Sequence, residues 1–166
     1  ILSNEKALAS SLEHYPAPVL DAVSAARQRL ETAGVDWRTI GIENRYRYYD
    51  LPLPSEMQEI LDLCHESWFG FQLDTGHAHA LETLGLCEKG VWLQRFHNRI
   101  IGVHLHDVAG ITDHQVPGRG DVDFTAVGRF IPPNCQRSLE ISASATVQEI
   151  SACLEYLEKC SCITSF

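Results

Sequence analysis

Residues 70–80 read GFQLDTGHAHA, and this stretch decides how the fold is interpreted. An apolar run that is typical of a buried strand ends in Asp74, and His77 follows within the next turn. A chain that only had to leave a sheet would do so with Gly, Asn or Ser. An acid and an imidazole at this exit predict that the end of the strand is also part of a site.

Strand-like and helix-like segments alternate on both sides of this stretch. The periodicity predicts helices over 17–33, 55–67, 79–96 with interruptions near Gly85 and Gly90, a short segment from about Phe124, and 146–159. It predicts strands over 38–43, 69–74, 99–106 and 137–142. Strands that alternate with helices of this length indicate βαβ units in a parallel sheet, so the expected fold class is α/β.

Each predicted strand carries, at or near its end, a residue type that binds metal ions. These residues are Glu43, Asp74, His104 and Glu140. Their separations of 31, 30 and 36 residues each correspond to about one βα unit. Successive units therefore deliver a ligand-type side chain at the same structural level.

The two faces of the predicted sheet differ in character, because alternate residues of a strand face opposite sides. One face is apolar: Ile40, Ile42, Phe71, Leu73, Val103, Leu105, Leu139 and Ile141. The other is small, polar or acidic: Gly41, Glu43, Gln72, Asp74, Gly102, His104, His106, Ser138 and Glu140. A doubly wound sheet, buried on both faces, should not show this split. A TIM-type (β/α) barrel should, with its polar side chains converging at the C-terminal mouth.

Three carboxylates and an imidazole gathered in one mouth predict one divalent cation, because the acids would otherwise repel one another. Such a donor set suits manganese, cobalt or magnesium, and it leaves iron and zinc open. The alternative is that each acid caps the helix after its strand, which matching level and parity at all four positions disfavour. His104 and His106 share a face, so either can be the ligand and the other a hydrogen-bonded wall residue.

Composition limits the function classes. A chain of 166 residues with 45% hydrophobic content predicts a single domain over 1–166. Thirteen basic against 22 acidic residues give a net charge of -9, which disfavours a nucleic-acid partner. We expect a soluble, cytoplasmic protein, because no membrane span or signal-like segment is evident. The six scattered cysteines are expected to be reduced thiols.

Three other features have simpler interpretations. Asp74-Thr75-Gly76 matches the triplet of aspartic proteases, but it occurs once and in an α/β pattern, so we reject that function. The Gly-rich segment DHQVPGRGDVDF, residues 113–124, can hold phosphate or sugar through backbone N–H groups and Arg119, although a plain turn fits equally well. Trp37, Trp68 and Trp92 are expected to pack in the core or between helices.

Five stretches, taken in order, carry a family resemblance: IGIEN, FQLDTGHA, VHLHD, DHQVPGRGDVDF and SLEIS. The chain resembles the C-terminal half of the xylose-isomerase-like TIM barrels, a superfamily of sugar-phosphate isomerases and epimerases that includes endonuclease IV. By this resemblance Glu43, Asp74, His104 and Glu140 match the metal ligands. His77 and Arg119 match substrate-contact positions, and His106 and His114 are further candidates for substrate binding.

The resemblance implies a metal-dependent isomerase or epimerase that acts on a sugar, a sugar phosphate or a polyol derivative. Proton transfer beside a carbonyl would pass through an enediolate, with Glu43 and Glu140 as base and acid. Dehydratases of the family use the same metal ligands and glutamates, and the sequence does not distinguish an isomerase, an epimerase and a dehydratase.

Two other functions remain open. One is a zinc phosphodiesterase of the endonuclease IV kind, for which Glu43, Asp74, His77, His104, His114 and Glu140 match part of a three-zinc set; Asp113 is one position off the expected spacing, and the charge argues against DNA. The other is a catalytically inactive barrel with a binding or regulatory role.

A full barrel of this class has eight βα units in about 250 residues, and only half that number of strands is predicted here. We expect the other half to come from sequence upstream of Ile1, from a second chain, or from a second copy in a homodimer. Residues 1–16 are expected to end the fourth βα unit of the full barrel.

Overall fold

The computed structural model describes residues 16–34, 40–47, 52–64 and 68–164, with side chains from residue 21 onward. The expectations for residues 1–15, for 38–39, for 65–67 and for Trp37 lie outside these ranges.

Parallel strands form the centre of the fold. The main sheet has the order β1 (Ile40–Glu43), β2 (Phe69–Asp74), β3 (Ile100–Leu105) and β6 (Gln136–Leu139), all parallel. The helices are α1 (Pro16–Thr32), α2 (Pro54–Leu63), α3 (Thr75–Thr83), α4 (Val91–Phe96), α5 (Phe124–Phe130) and α6 (Val147–Lys159), with a short 3₁₀ helix at His97–Arg99. A small antiparallel hairpin joins β4 (Asp107–Ala109) to β5 (Thr112–Gln115).

The strand order follows the chain without reversal, as in an arc of a TIM barrel; a doubly wound sheet would reverse its order at a switch point. The helices cover one face of this arc. Phe71, Leu73, Val103 and Leu105 are buried in one core cluster with residues of α2 to α6. This arrangement confirms the predicted α/β class and the apolar face.

Strand register confirms the second, polar face. Glu43 pairs with Gln72, Asp74 with His104, and His104 with Ser138, so these side chains share the face opposite the helices. Glu140 follows β6 directly, and its N–H donates to the Leu105 carbonyl at 3.2 Å. The metal-type residues at the strand ends therefore lie along one edge of the sheet.

The structure differs from the sequence prediction in three elements. Helix α3 begins at Thr75, directly after β2, whereas the periodicity predicts helix only from His79. The segment after His106 is a β-hairpin followed by turns rather than a loop throughout. Strand β6 ends at Leu139, so Glu140 and Ile141 lie beyond it.

Two glycines allow close packing at the polar face. A Cβ atom on Gly76 would overlap the ring of His106, whereas one on Gly102 would meet the end of the flexible Gln72 side chain, which can move aside. The His106 ring is fully buried and cannot move aside, so glycine at position 76 lets the first turn of α3 approach it.

The remaining composition-based expectations concern thiols and tryptophans. All six cysteines are free, as predicted. Burial raises the pKa of the Cys153 thiol to about 11 and that of Cys162 to about 12, so both are poor nucleophiles. Trp92 is fully buried and Trp68 packs against the core. None of the helices in the described ranges has the length and apolarity needed to cross a membrane.

Candidate active site

Asp74 and His106 are the two fully buried residues among the predicted site residues, and Asp74 lies at the end of β2. Its side chain is fully buried, and its Oδ1 accepts the backbone N–H of His77 at 2.8 Å, which makes Asp74 the N-cap of α3. Its Oδ2 points to the polar face and has no hydrogen-bond partner. One carboxylate thus stabilises a helix start with one oxygen and presents the other to the site.

The four residues proposed from the strand ends converge. Glu43, Asp74, His104 and Glu140 each offer a ligand atom, and these atoms all lie within 4.8 Å of one another. Nδ1 of His104 lies 2.8 Å from Glu140 Oε2, 3.7 Å from Glu43 Oε1 and 3.8 Å from Asp74 Oδ2. We call this set the strand-end tetrad.

The tetrad contains polar atoms that the protein itself does not satisfy. Asp74 Oδ2 is buried and has no hydrogen-bond partner, whereas the buried His104 Nδ1 and Glu140 Oε2 have only each other, 2.8 Å apart and outside hydrogen-bond geometry. Leaving such atoms unpaired costs free energy, more so for carboxylates. Three carboxylates and one imidazole facing a common point are a donor set that fits a divalent cation.

The tetrad is open on one side. The Glu43 side chain is 24% exposed and that of Glu140 is 44% exposed, whereas Asp74 between them is closed off. A small molecule can therefore approach the two glutamates from the polar face of the sheet.

His77 lies against the acidic side of the tetrad. Its Nδ1 is 3.0 Å from the Asn44 carbonyl oxygen, 3.3 Å from Glu43 Oε1 and 3.5 Å from Asp74 Oδ1. These neighbours are all acceptors, so Nδ1 carries a proton and Nε2 is left for another partner. Burial lowers the pKa of His77, but Glu43, Asp74 and the Asn44 carbonyl raise it by more, and the net shift is upward.

His106 is a fully buried wall residue of the site. Its Nε2 lies 2.7 Å from Asp74 Oδ1, and its Nδ1 accepts the His114 N–H at 3.0 Å. Burial lowers the pKa of His106, while Asp74, the Asp107 carbonyl and Glu140 raise it by more. Of the two histidines on β3 and its exit, His104 belongs to the tetrad and His106 supports Asp74.

His114 reaches the tetrad from the hairpin. Its ring stacks on His106 with centroids 4.7 Å apart, and its Nε2 lies 3.4 Å from Glu140 Oε1. The backbone of His114 has φ 55, a left-handed conformation that is uncommon outside glycine. His77, His106 and His114 form a second group of ligand-type atoms within 4.8 Å of one another.

Arg119 is placed differently from the other candidates. Its guanidinium forms an ion pair with Glu149 at 2.6 Å, in the first turn of α6, and its side chain is 61% exposed. Its predicted contact with substrate stays a prediction.

Sequence reasoning missed the residues that hold these side chains. Asn44 bonds to the backbone of Asp74, and the Thr75 hydroxyl bonds to the carbonyls of His104 and His106. Asp107 accepts four backbone N–H groups, and the Tyr46 hydroxyl donates to the Ile111 carbonyl. The available signal is adjacency, because Asn44, Thr75 and Asp107 each directly follow a predicted site residue.

Comparison with known proteins assigns the fold to a family. The sequence profile described as "Xylose isomerase-like TIM barrel" matches residues 9–132. The chain belongs to this family. No curated protein matches it.

Two solved structures resemble this xylose isomerase-like chain. A D-tagatose 3-epimerase-like protein has 22% sequence identity and a TM-score of 0.58, over 84% of this chain and 52% of that one. The 3-keto-D-glucoside 4-epimerase YcjR from E. coli has 19% identity and a TM-score of 0.58, over 87% of this chain and 54% of that one. The chain thus spans about half the length of the solved structures it matches, and the likeness supports the partial-barrel fold.

Proposed function

We propose that this chain forms the metal-binding half of a sugar isomerase or epimerase that transfers a proton beside a carbonyl. The observation that carries the proposal is the strand-end tetrad, whose ligand-type atoms lie within 4.8 Å of one another and include the buried Asp74 Oδ2, which has no hydrogen-bond partner. The proposed ligands are Glu43, Asp74, His104 and Glu140. The named activities of the two structural neighbours make a carbohydrate or a derivative of one the substrate class to test.

Glu43 and Glu140 are the proposed base and acid. Among the described strands, β1 and β6 are the outermost of the sheet, so these two glutamates flank Asp74 and His104. Both are partly open, so each can contact a substrate carbon. One takes the proton from the carbon beside the carbonyl and the other returns one to the opposite face or the neighbouring carbon.

A divalent cation, with manganese, cobalt or magnesium first and zinc next, would stabilise the negative charge that develops on the substrate oxygens. The chain's own residues hold the site geometry, transfer the protons and orient the substrate. Asp74, fixed by its cap and by His106, holds its geometry while the glutamates move protons. His77 and His114 lie beside Glu43 and Glu140 and are suited to orient substrate hydroxyls.

The complete active site requires more barrel than the described residues supply. An eight-stranded barrel closes its polar face inside the ring, whereas here that face is partly exposed. We propose that residues 1–166 act as one domain and that further βα units cover it. Those units come from additional sequence, a second chain or a second copy of this one.

Hydrogen exchange in deuterated water tests the chemistry. Incubating the protein and manganese with ketohexoses and 3-keto-glycosides should place deuterium on the carbon beside the carbonyl, seen by proton NMR. Glu140→Gln is nearly isosteric and should reduce this exchange by at least about 100-fold, the lower range for loss of a positioned acid or base. The same substitution at exposed Glu155 on α6 is the matched control and should leave exchange unchanged. Retained exchange in Glu140→Gln, with an unchanged circular dichroism spectrum, would contradict the assignment.

A zinc phosphodiesterase is the second candidate, because His77, His106 and His114 form a further ligand-type group beside the tetrad. Two observations weigh against it. Both ring nitrogens of His106 already have neighbours within 3.1 Å, and the net charge of -9 repels DNA. Cleavage of abasic DNA with several zinc ions per chain would favour this candidate over the isomerase.

A further inference from the structure

Asn44 is a fully buried polar residue immediately after β1, and the proposed chemistry gives it no role. Its amide Nδ2 donates to the Asp74 carbonyl oxygen at 2.9 Å, and its Oδ1 accepts the Asp74 N–H at 2.8 Å. The side chain therefore bonds to both backbone polar groups of Asp74, which is the end residue of the neighbouring strand.

The backbone of Asn44 acts on a second site residue. Its carbonyl oxygen lies 3.0 Å from Nδ1 of His77 and is the nearest of the three acceptors around that nitrogen. This contact fixes the proton on Nδ1 and the orientation of the ring. Asn44 thus contacts both Asp74 and His77, and it is joined by a peptide bond to Glu43.

We infer that Asn44 is a positioning residue that holds Asp74 and His77 in the geometry the strand-end tetrad needs for a divalent cation. This inference rests on the proposed metal site. Without the two side-chain bonds, the backbone of Asp74 would lose its attachment on the β1 side and keep its pairing with β3. We expect Oδ2 then to shift from the point that Glu43 and His104 also face. Partners of this kind typically change metal affinity by 10–100-fold.

Only a primary amide can form both hydrogen bonds to the Asp74 backbone with one side chain. It offers one donor and one acceptor side by side, which match the C=O and N–H of one residue. An aspartate would place an acceptor against the Asp74 carbonyl, and an apolar side chain would remove both hydrogen bonds to the Asp74 backbone. The Asn44 site is closed to solvent, so bulk water does not replace the lost bonds.

Titration of the purified metal-free protein with Mn²⁺ or Co²⁺ alone tests the inference, by calorimetry and by the visible absorption of bound Co²⁺. Asn44→Ala should weaken the affinity by 10–100-fold and alter the Co²⁺ spectrum, which reports ligand geometry. Asn44→Ser is the fallback if alanine does not fold, because its small polar side chain leaves room for a bridging water; it should give a smaller change in the same direction.

Ile60→Val is the matched control for a merely structural effect. Ile60 is buried in α2 and belongs to the core cluster, so the substitution lowers stability without removing any contact of the tetrad. It should leave the metal affinity and the Co²⁺ spectrum unchanged.

The outcomes separate this inference from the proposed function. If the wild type binds the metal and the Asn44 variants keep its affinity and Co²⁺ spectrum, the role of Asn44 is overturned. The proposed metal site then remains. Wild-type protein that binds neither ion overturns the metal site and this inference with it. An equal loss in Ile60→Val and Asn44→Ala would show that the effect is general destabilisation, which also overturns the inference.

Discussion

At the scale of single residues, Asp74 explains why a strand, an acid and a histidine occur together in GFQLDTGHAHA. The sequence leaves a helix cap and a metal ligand as alternatives; the structure shows the cap on one oxygen, and we propose the other as the metal ligand. Oδ1 caps α3, whereas Oδ2 is buried without a partner beside Glu43 and His104. A turn formed by other residues would provide only the cap.

Two substitutions at Asp74 separate these roles. Asn is as good an N-cap as Asp, so Asp74→Asn should keep most of the stability, whereas Asp74→Ala should lose about 1 kcal/mol more through the missing cap. Both should lose metal binding, because neither presents a carboxylate. Urea unfolding of the metal-free variants measures the free energy of unfolding, and calorimetry measures metal binding. Equal stability in the two variants would contradict the cap, and tight metal binding by Asp74→Asn would contradict the ligand.

The strand-end residues were predictable because strand parity and βα spacing fix where Glu43, Asp74, His104 and Glu140 lie. Their supports were not predictable by the same route. Asn44 bonds to a residue on a different strand, and only the three-dimensional register brings the two together. The ion pair of Arg119 depends on where α6 begins relative to the loop, which periodicity does not determine.

At the scale of elements, the β4–β5 hairpin and the turns after it carry His114 to the tetrad, and one buried carboxylate organises them. Asp107 accepts four backbone N–H groups at 2.9–3.0 Å, those of Val108, Gly118, Gly120 and Val122. Hydrogen bonds to an ionised group are individually stronger than neutral ones. The hydrogen bonds to Asp107 therefore hold this segment in place, because the β4–β5 ladder is short.

Removing the Asp107 carboxylate should release the whole segment. Asp107→Ala should lower the free energy of unfolding by at least about 3 kcal/mol and speed amide exchange at these donors, because each bond to a charged group contributes about 1.5–3 kcal/mol. Asp123→Ala is the control, since that carboxylate accepts a single N–H, from Ala126. Hydrogen exchange by mass spectrometry measures the amide protection in both variants. Unchanged protection over residues 107–122 in Asp107→Ala would refute this role.

The alternation of helices and strands was readable from the sequence, whereas this hairpin was not. β4 has three residues and β5 is the polar run TDHQ, so neither shows the period of a strand. The early start of α3 was missed because Asp-Thr-Gly is typical of a turn, although Asp is also a strong N-cap.

At the scale of the whole molecule, the separation of an apolar from a polar face predicts a barrel arc, and the strand order and the family match confirm it. How the barrel closes is not encoded in these strands. The chain spans about half the length of the epimerase structures it resembles. We propose that further βα units pair with the edges of β1 and β6 and cover the face that holds the tetrad.

The most direct measurement for this account is the divalent metal content of the purified protein, by elemental mass spectrometry, with wild type beside Asp74→Asn. We expect about one ion per wild-type chain after incubation with manganese or cobalt and removal of excess, and loss of that ion in the variant. A wild-type chain that retains no ion under these conditions would show that the strand-end tetrad is not a metal site.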